Sequence, residues 1–336
     1  MQEYIASLVK RQDLSREQAA SAMEMLMTGE AIPTHVSAFL VALAMKGETV
    51  DEITGLAEIM RKMATPIHTK RKPLVDTCGT GGDHSNTFNI STAAAFVVAG
   101  AGVPVAKHGN RSASSQCGSA DVLESLGVNI EAGPERVGTC IDEAGIGFLF
   151  ARTLHTAMKH VAPVRSELKI RTAFNILGPL TNPARACGQV MGVFDSTLVE
   201  PLAHVLANLG ARRAFVVAGS DGLDELTLGG PSLVAEAAGG TVKTYQIDAP
   251  DLGLSPASRD AITGGDAATN AAILRGVLEG KTGPHRDVVV LNAAAGILAG
   301  QDGGEWREAI QAAQKSIDSG AALEKLEQLS RISHDS

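Results

Sequence analysis

Through its first seventy residues the chain places apolar side chains at helical spacing: Met23 with Leu26, then Phe39, Leu40 and Leu43, then Ile53, Leu56 and Ile59. Each set falls on one face of a 3.6-residue repeat, and no period-two alternation interrupts them. Ser15 with Gln18 and Thr49 with Glu52 have the spacing of capping boxes, and Pro33 stands where a helix begins. The pattern predicts a small all-α unit over residues 1–72. Its apolar stripe is expected to pack mainly within the chain, with what stays exposed available to a second copy.

The pattern changes after the basic stretch Lys70 to Lys72. Short apolar runs that end in glycine-rich turns alternate with alanine-rich helical segments, the rhythm of β-α-β units. Strands are predicted at Leu74 to Asp76, Val103 to Lys107, Gly147 to Ala151, Gln189 to Phe194, Ala214 to Ala218, Val242 to Ile247 and Val288 to Leu291. The fold class that follows is α/β: a large domain over residues 73–336 with a mostly parallel sheet and flanking helices, plus the small N-terminal all-α domain. Ligands are then expected beyond the carboxyl ends of the strands. Pro163 to Asn182 breaks the rhythm with a predicted helix whose charged positions are Arg165, Glu167, Lys169 and Arg171. Periodicity leaves open whether it runs over the surface or returns to the small domain; the domain assignment takes it, near residues 163–186, as completing the latter. A last helix is expected near Ala321 to Ile332.

Composition narrows the function classes. Of 336 residues 44% are hydrophobic but only 3% aromatic, so the core must be built from Ala, Val, Leu, Ile and Met, and a base-stacking surface is not expected. The formal net charge of -8 offers polyanions no general attraction, which argues against a nucleic-acid or anionic-membrane surface. Cys78, Cys117, Cys140 and Cys187 form no C-x-x-C pair, which fits a reducing cytoplasm better than zinc or a disulfide framework. The N-terminus lacks the pattern of a secretory signal, and the longest apolar stretch, Ala93 to Val105, is broken by glycine and proline. A cytoplasmic protein is expected.

The chemistry is concentrated in four segments. D-T-C-G-T-G-G-D-H-S-N-T-F-N-I-S-T, Asp76 to Thr92, sets a glycine loop after a strand and Asn89, Ser91 and Thr92 before an alanine-rich helix. Glycines leave backbone N–H groups facing a concavity, and a helix N-terminus lacks acceptors, so the arrangement suits an anion. Alone it reads equally as a capped strand-to-helix turn, and neither a Walker nor a dinucleotide glycine pattern is present. Lys107 to Ser115, K-H-G-N-R-S-A-S-S, supplies a second such turn before a helix start at Ser119. Arg165, upstream of the Gly178-Pro179 turn, offers a fork for a carboxylate. Asp224 and Glu225, in G-S-D-G-L-D-E-L-T, are consecutive carboxylates of the kind magnesium uses beside phosphate oxygens.

In order and spacing, D-T-C-G-T-G-G-D, T-F-N-I-S-T, K-H-G-N-R, F-N-I-L-G-P-L-T-N-P-A and G-L-D-E resemble the anthranilate phosphoribosyltransferases of tryptophan biosynthesis over nearly the whole chain. The resemblance implies a small helical domain joined to an α/β domain, a homodimer through the helical domain, and Mg2+ as cofactor. It implies transfer of the phosphoribosyl group of 5-phosphoribosyl 1-pyrophosphate to the amino group of anthranilate, with pyrophosphate released. Carried over residue by residue, it gives the donor Gly79, Gly82, Asp83, Thr87, Asn89, Ile90, Ser91, Thr92, Lys107, Ser115 and Ser119. Anthranilate receives Gly79, Asn110 and Arg165, with His108 and Gly178 as ring contacts, and the metal receives Ser91, Asp224 and Glu225. No general acid or base is assigned. The chain departs from the family pattern at His84, where glycine is usual, and in the loop holding Arg152 and Leu154. The alternatives are a pyrimidine nucleoside phosphorylase, a family of longer chains, and a non-enzymatic nucleic-acid-binding paralogue, which the negative charge disfavours.

Overall fold

The computed structural model describes residues 1–83, 85–112 and 116–335. The N-terminal stripe folds as helices Gln2–Val9, Arg16–Thr28, Pro33–Lys46 and Val50–Met63. Both expected capping boxes form. Ser15 Oγ accepts from the Gln18 N–H at 3.2 Å while the Gln18 side chain accepts from the Ser15 N–H at 2.9 Å, and Thr49 and Glu52 exchange the same pair of bonds at 3.2 and 2.8 Å. Pro33 is the first residue of its helix, where a missing N–H costs nothing. Met23, Leu26, Phe39, Leu40, Leu43, Ile53 and Leu56 are all buried in one cluster. The helices Arg16–Thr28 and Val50–Met63 cross closely at Gly55, where an added Cβ would lie 2.1 Å from the Arg16 carbonyl oxygen.

Among the described residues one seven-stranded sheet follows: β1 (Val75–Gly79), β2 (Val105–Gly109), β3 (Ile146–Phe150), β4 (Gly188–Gly192), β5 (Arg213–Gly219), β6 (Ser232–Ala238) and β7 (Thr241–Ile247). The spatial order is β3-β2-β1-β4-β5-β6-β7, parallel from β3 to β5 and antiparallel from β5 to β7. The strand order reverses between β1 and β4. One face buries Val75, Val105, Val190 and Phe215 under helices Ile90–Gly100 and Pro284–Ala299; the other buries Met191, Ala214 and Val216 against helix Val199–Asn208 and the N-terminal helices. The β1/β4 carboxyl ends therefore open a crevice beside the small helical unit, the place where open α/β sheets receive ligands.

One strand expectation needs correction and one strand is new. Val288–Leu291 is not a strand but the middle of helix Pro284–Ala299, every residue of which from Val288 to Ala299 is buried. A short apolar run cannot be told from a buried helix by periodicity; here the apolar character continues through A-A-A-G-I-L-A, too long for a strand. β6 was not foreseen, because S-L-V-A-E-A-A is alanine-rich; its partner β7 and the Gly239-Gly240 turn between them form the hairpin.

The segment expected as one helix over Pro163 to Asn182 is instead a chain of short pieces: Thr156–His160, Ala162–Leu168, Phe174–Leu177 and Pro179–Thr181. Val161, Val164, Phe174, Ile176, Leu177 and Leu180 share the buried cluster of the N-terminal helices. Arg61 ties the two together, donating to the Leu180 carbonyl at 2.6 Å and the Leu209 carbonyl at 3.1 Å. Arg152 and Leu154 lie in a one-turn helix, Ala151–Leu154, rather than a loop, and His84 lies outside the described residues. Helix Ala321–Ile332 closes the chain as expected. Among the described residues no helix is long and apolar enough to cross a membrane.

Candidate functional site

β1 ends in a glycine loop drawn toward β4 and the acidic pair. The Thr80 N–H donates to the Gly192 carbonyl at 2.9 Å and the Gly81 N–H to Asp224 Oδ2 at 2.8 Å. Gly81 and Gly82 stand at φ +66° and +81°, a region that disfavours a side chain. Asp83 Oδ1 accepts from the Ser85 N–H at 3.2 Å, while its Oδ2 is buried with no hydrogen-bond partner. Thr87 pairs with Thr263 in an isolated antiparallel bridge that pins the loop from outside.

Helix Ile90–Gly100 begins where the loop ends. Asn89 precedes it, its amide donating to the Cys117 carbonyl at 3.2 Å and accepting from Asn270 Nδ2 at 3.0 Å. Ile90 is buried in the core, so only its backbone is available to a ligand. The Ser91 N–H donates to Glu225 Oε1 at 3.1 Å, and Thr92 Oγ1 is buried without a partner.

The second turn leaves β2 alongside. Lys107, buried, donates from Nζ to the Thr77 carbonyl at 2.5 Å and stands 3.5 Å from Ser91 Oγ. Ser119 Oγ donates to the Asn110 carbonyl and accepts from the Asn110 N–H, each at 3.2 Å, which fixes the turn against the start of helix Ser119–Ser125. A Cβ on Gly109 would meet Ser119 Oγ at 2.2 Å, so glycine is required there. Ser115 lies outside the described residues.

Burial governs the charges. The Asp224 carboxyl is pushed up to about 7 by burial and the nearby charge of Asp83, and Glu225 to about 8 by burial and the charge of Asp224. Burial likewise lowers Lys107, which faces Asp76, Cys78 and Glu225. Among the described residues no cluster of three or more His, Cys, Asp or Glu side chains encloses a metal. The donor set still fits magnesium: a hard cation that takes one or two carboxylates and fills its other positions with water and phosphate oxygens. Two adjacent carboxylates held against their own ionisation are stabilised by such a cation.

The other side of the crevice is built from segment 161–182 and β2. Arg165 is half-buried with its guanidinium 5.0 Å from the Phe174 ring centre, and among the described residues it makes no ion pair. Burial lowers its pKa from the ordinary arginine value. The His108 Nε2 lies 3.2 Å from His155 Nε2, both rings buried. Burial holds His108 down to about 3 and His155 to about 4, so both are neutral at pH 7. Beneath them Asp76, fully buried, accepts from the His108 N–H at 3.0 Å and from Asn182 Nδ2 at 2.8 Å, which locks β2 to segment 161–182.

The crevice thus gathers Gly79, Gly82, Asp83, Asn89, Ser91, Lys107, Asp224 and Glu225 on one side. Sequence reasoning missed Asn270, His155, Asn182 and the role of Arg171, which donates to the Gly82 carbonyl at 2.8 Å. Asn182 stands inside the F-N-I-L-G-P-L-T-N-P-A motif and Arg171 among the charged positions before it, but their partners, like those of Asn270 and His155, are far off in sequence and only the fold brings them in.

Comparison with known proteins places the chain in a family. Residues 71–323 match the glycosyl transferase family a/b domain and residues 2–64 the helical bundle domain of the same family. An anthranilate phosphoribosyltransferase of Symbiobacterium thermophilum is 56% identical over 99% of this chain and 98% of its own, and one of Moorella thermoacetica is 55% identical over 96% and 95%. The crystal structure of the enzyme from Thermus thermophilus superposes with a TM-score of 0.94 at 45% identity, covering 99% of each chain. The Saccharomyces cerevisiae enzyme in complex with PRPP and Mg does so at 0.89 and 29% identity, covering 99% of this chain and 97% of that one.

Proposed function

The chain belongs to the anthranilate phosphoribosyltransferases, and from that premise we propose which of its residues carry the transfer. The reaction moves the phosphoribosyl group of 5-phosphoribosyl 1-pyrophosphate (PRPP) to the amino group of anthranilate, giving N-(5-phosphoribosyl)anthranilate and pyrophosphate. The observation that carries the residue assignment is the meeting of Glu225 with the Ser91 N–H at 3.1 Å, which supports reading the acidic pair as a partner of a helix N-terminus suited to phosphate.

The donor lies along the Gly79, Gly82 and Asp83 loop, Thr87 and the Asn89, Ile90, Ser91 and Thr92 turn, with Lys107 of β2 and Ser119 at the start of its helix alongside; Ser115, assigned to the donor from the sequence, lies outside the described residues. Ser91, Asp224 and Glu225 hold magnesium, which when bound supplies positive charge against the diphosphate. As the C1–O bond breaks, charge builds on pyrophosphate; Lys107 stands beside Ser91 and the helix N–H groups point the same way, so both favour departure. Anthranilate sits between the Asn110 turn and Gly178, bordered by Gly79 and His108. Neutral His108 gives a polar edge without charge, so recognition of the carboxylate falls to Arg165, which among the described residues has no acidic partner. The amine nitrogen attacks C1 and loses a proton; no side chain is assigned as base. Proximity and exclusion of water do most of the work.

The division at residues 72 and 73, with segment 163–186 completing the helical domain, is part of the same proposal. So is a homodimer through that domain, supported by Val9 and Met45 on its helices and Ile32 just before one, which are 69%, 71% and 55% exposed. Cysteine usage and charge support a cytoplasmic location. Loss of anthranilate fluorescence should require the protein, PRPP and magnesium together, with each omitted in turn. Folded protein that leaves anthranilate unchanged but phosphorolyses thymidine or uridine would overturn the proposal.

A further inference from the structure

The glycine loop and segment 161–182 meet through a side chain that the transfer as described does not use. Arg171 Nη2 donates to the Gly82 carbonyl at 2.8 Å, and its guanidinium lies 3.7 Å from the centre of the Phe194 ring, just beyond β4. The neighbouring Asp195 carboxyl is held below its usual range, mainly by the Thr197 hydroxyl and N–H, with the charge of Arg171 adding to them. Gly82 leaves room for this contact only because it is glycine: a Cβ there would lie 2.3 Å from Arg171 Nη2.

The bond fixes more than one oxygen. A trans peptide is planar, with C=O and the following N–H pointing in opposite directions. Drawing the Gly82 carbonyl to Arg171 therefore turns the Asp83 N–H away from segment 161–182. Among the described residues neither the Gly82 N–H nor the Asp83 N–H has an acceptor, whereas the Gly81 N–H before them is taken by Asp224. Glycine backbone at φ +81° is free to flip, and Arg171 is the side chain that sets which way this peptide faces.

We propose that Arg171 is a positioning residue for the donor: it holds the Gly82–Asp83 peptide so that its N–H receives the magnesium-bound diphosphate. Because Arg171 lies six residues after Arg165 on the same segment, the diphosphate site then depends on the segment that recognises the acceptor's carboxylate. The inference rests on the reading of the glycine loop as the diphosphate site.

The test uses full-length protein, titrated with magnesium pyrophosphate by calorimetry and assayed for transfer. Arg171→Ala is expected to weaken pyrophosphate binding and raise the PRPP KM by about tenfold, the scale of one charge-assisted hydrogen bond. The anthranilate KM at saturating PRPP should stay within about twofold of the parent on the same scale. Arg171→Lys keeps a donor for the Gly82 carbonyl and should recover part of the loss; Phe194→Leu removes the platform under the guanidinium and should lose part of it. Unchanged pyrophosphate affinity in Arg171→Ala would overturn the proposal. So would equal rises in both KM values alongside a lowered melting temperature, which mark a structural role. If the parent protein itself fails to bind magnesium pyrophosphate, the reading of the glycine loop falls, and this proposal with it.

Discussion

Asp224 occupies the space that a side chain on Gly79 would need: a Cβ built on Gly79 lies 2.6 Å from Asp224 Oδ2. The last residue of β1 and the first of the acidic pair are thus fitted to each other across 145 residues of sequence, and Gly192 repeats the fit at the end of β4, where a Cβ would lie 1.6 Å from the Asp224 carbonyl oxygen.

Gly79→Ala should therefore act on the metal before it acts on the fold. The methyl group displaces the Asp224 carboxylate and the bond it accepts from Gly81. We expect the magnesium concentration for half-maximal rate to rise about tenfold or more, as for loss of one charged ligand contact, with a small change in melting temperature. A magnesium dependence matching the parent would show that Asp224 is not a ligand.

The acceptor side gives a separable prediction. Arg165→Ala removes a half-buried guanidinium that among the described residues has no carboxylate partner, so what it loses is the substrate's. The anthranilate KM should rise by about tenfold or more while the PRPP KM moves much less. Equal rises in both would count against the assignment of Arg165 to the carboxylate.

The loops from Asp76 to Thr92 and from Lys107 to Ser119 were legible because their chemistry is local: glycine, hydroxyl and amide residues at fixed offsets after a strand and before a helix. The helical stripe at Met23, Leu26 and Phe39 was legible because burial on one face leaves a period. Val288–Leu291 was misread because a helix buried on all sides has no polar face to give it a period. β6 was missed because alanine carries little strand preference, and its pairing with β5 and β7 is decided by the sheet. Asn270 and Arg171 gave no signal because each acts on a backbone or amide group about 90 residues or more away.

Asn270 shows what such a residue contributes. It is 1% exposed, donates to Asn89 Oδ1 at 3.0 Å and accepts from the Gly265 N–H at 2.8 Å. Asn270→Ala frees the Asn89 amide to rotate at the donor turn. The PRPP KM should rise several-fold, about 1 kcal/mol of lost hydrogen bonding, with the anthranilate KM unchanged. A variant with parental PRPP KM would reduce Asn270 to a purely structural cap.

The buried histidine pair sets an acid limit on stability. His108 and His155 are held at about 3 and about 4, below the ordinary 6.5, chiefly by burial. For a base with a depressed folded value, the unfolded chain binds more protons in the window between. The pair's contribution is complete above about pH 6.5 and is lost as pH falls through about 4 toward 3. His155→Gln keeps an N–H for His108 but cannot titrate, so its melting temperature should fall less than the parent's between pH 7 and pH 5. Equal falls would place the acid sensitivity elsewhere.

The acidic pair titrates in the opposite sense. Burial lifts Asp224 to about 7 and Glu225 to about 8, from 3.8 and 4.5, so without metal the folded chain keeps protons that the unfolded chain has released. Stability without metal should fall as pH rises from about 4 to about 8 and level off beyond. Magnesium needs the ionised carboxylates, so its affinity should climb through the upper part of that window and its binding should release protons. Calorimetry at pH 7 in buffers of different ionisation enthalpy reads that release directly, and PRPP-dependent transfer reads its consequence. Asp224→Asn with Glu225→Gln should abolish the proton release and most of the magnesium dependence together. If the double variant keeps the parent's magnesium dependence, the metal is held elsewhere, and the raised carboxyls reflect only the dryness of the crevice.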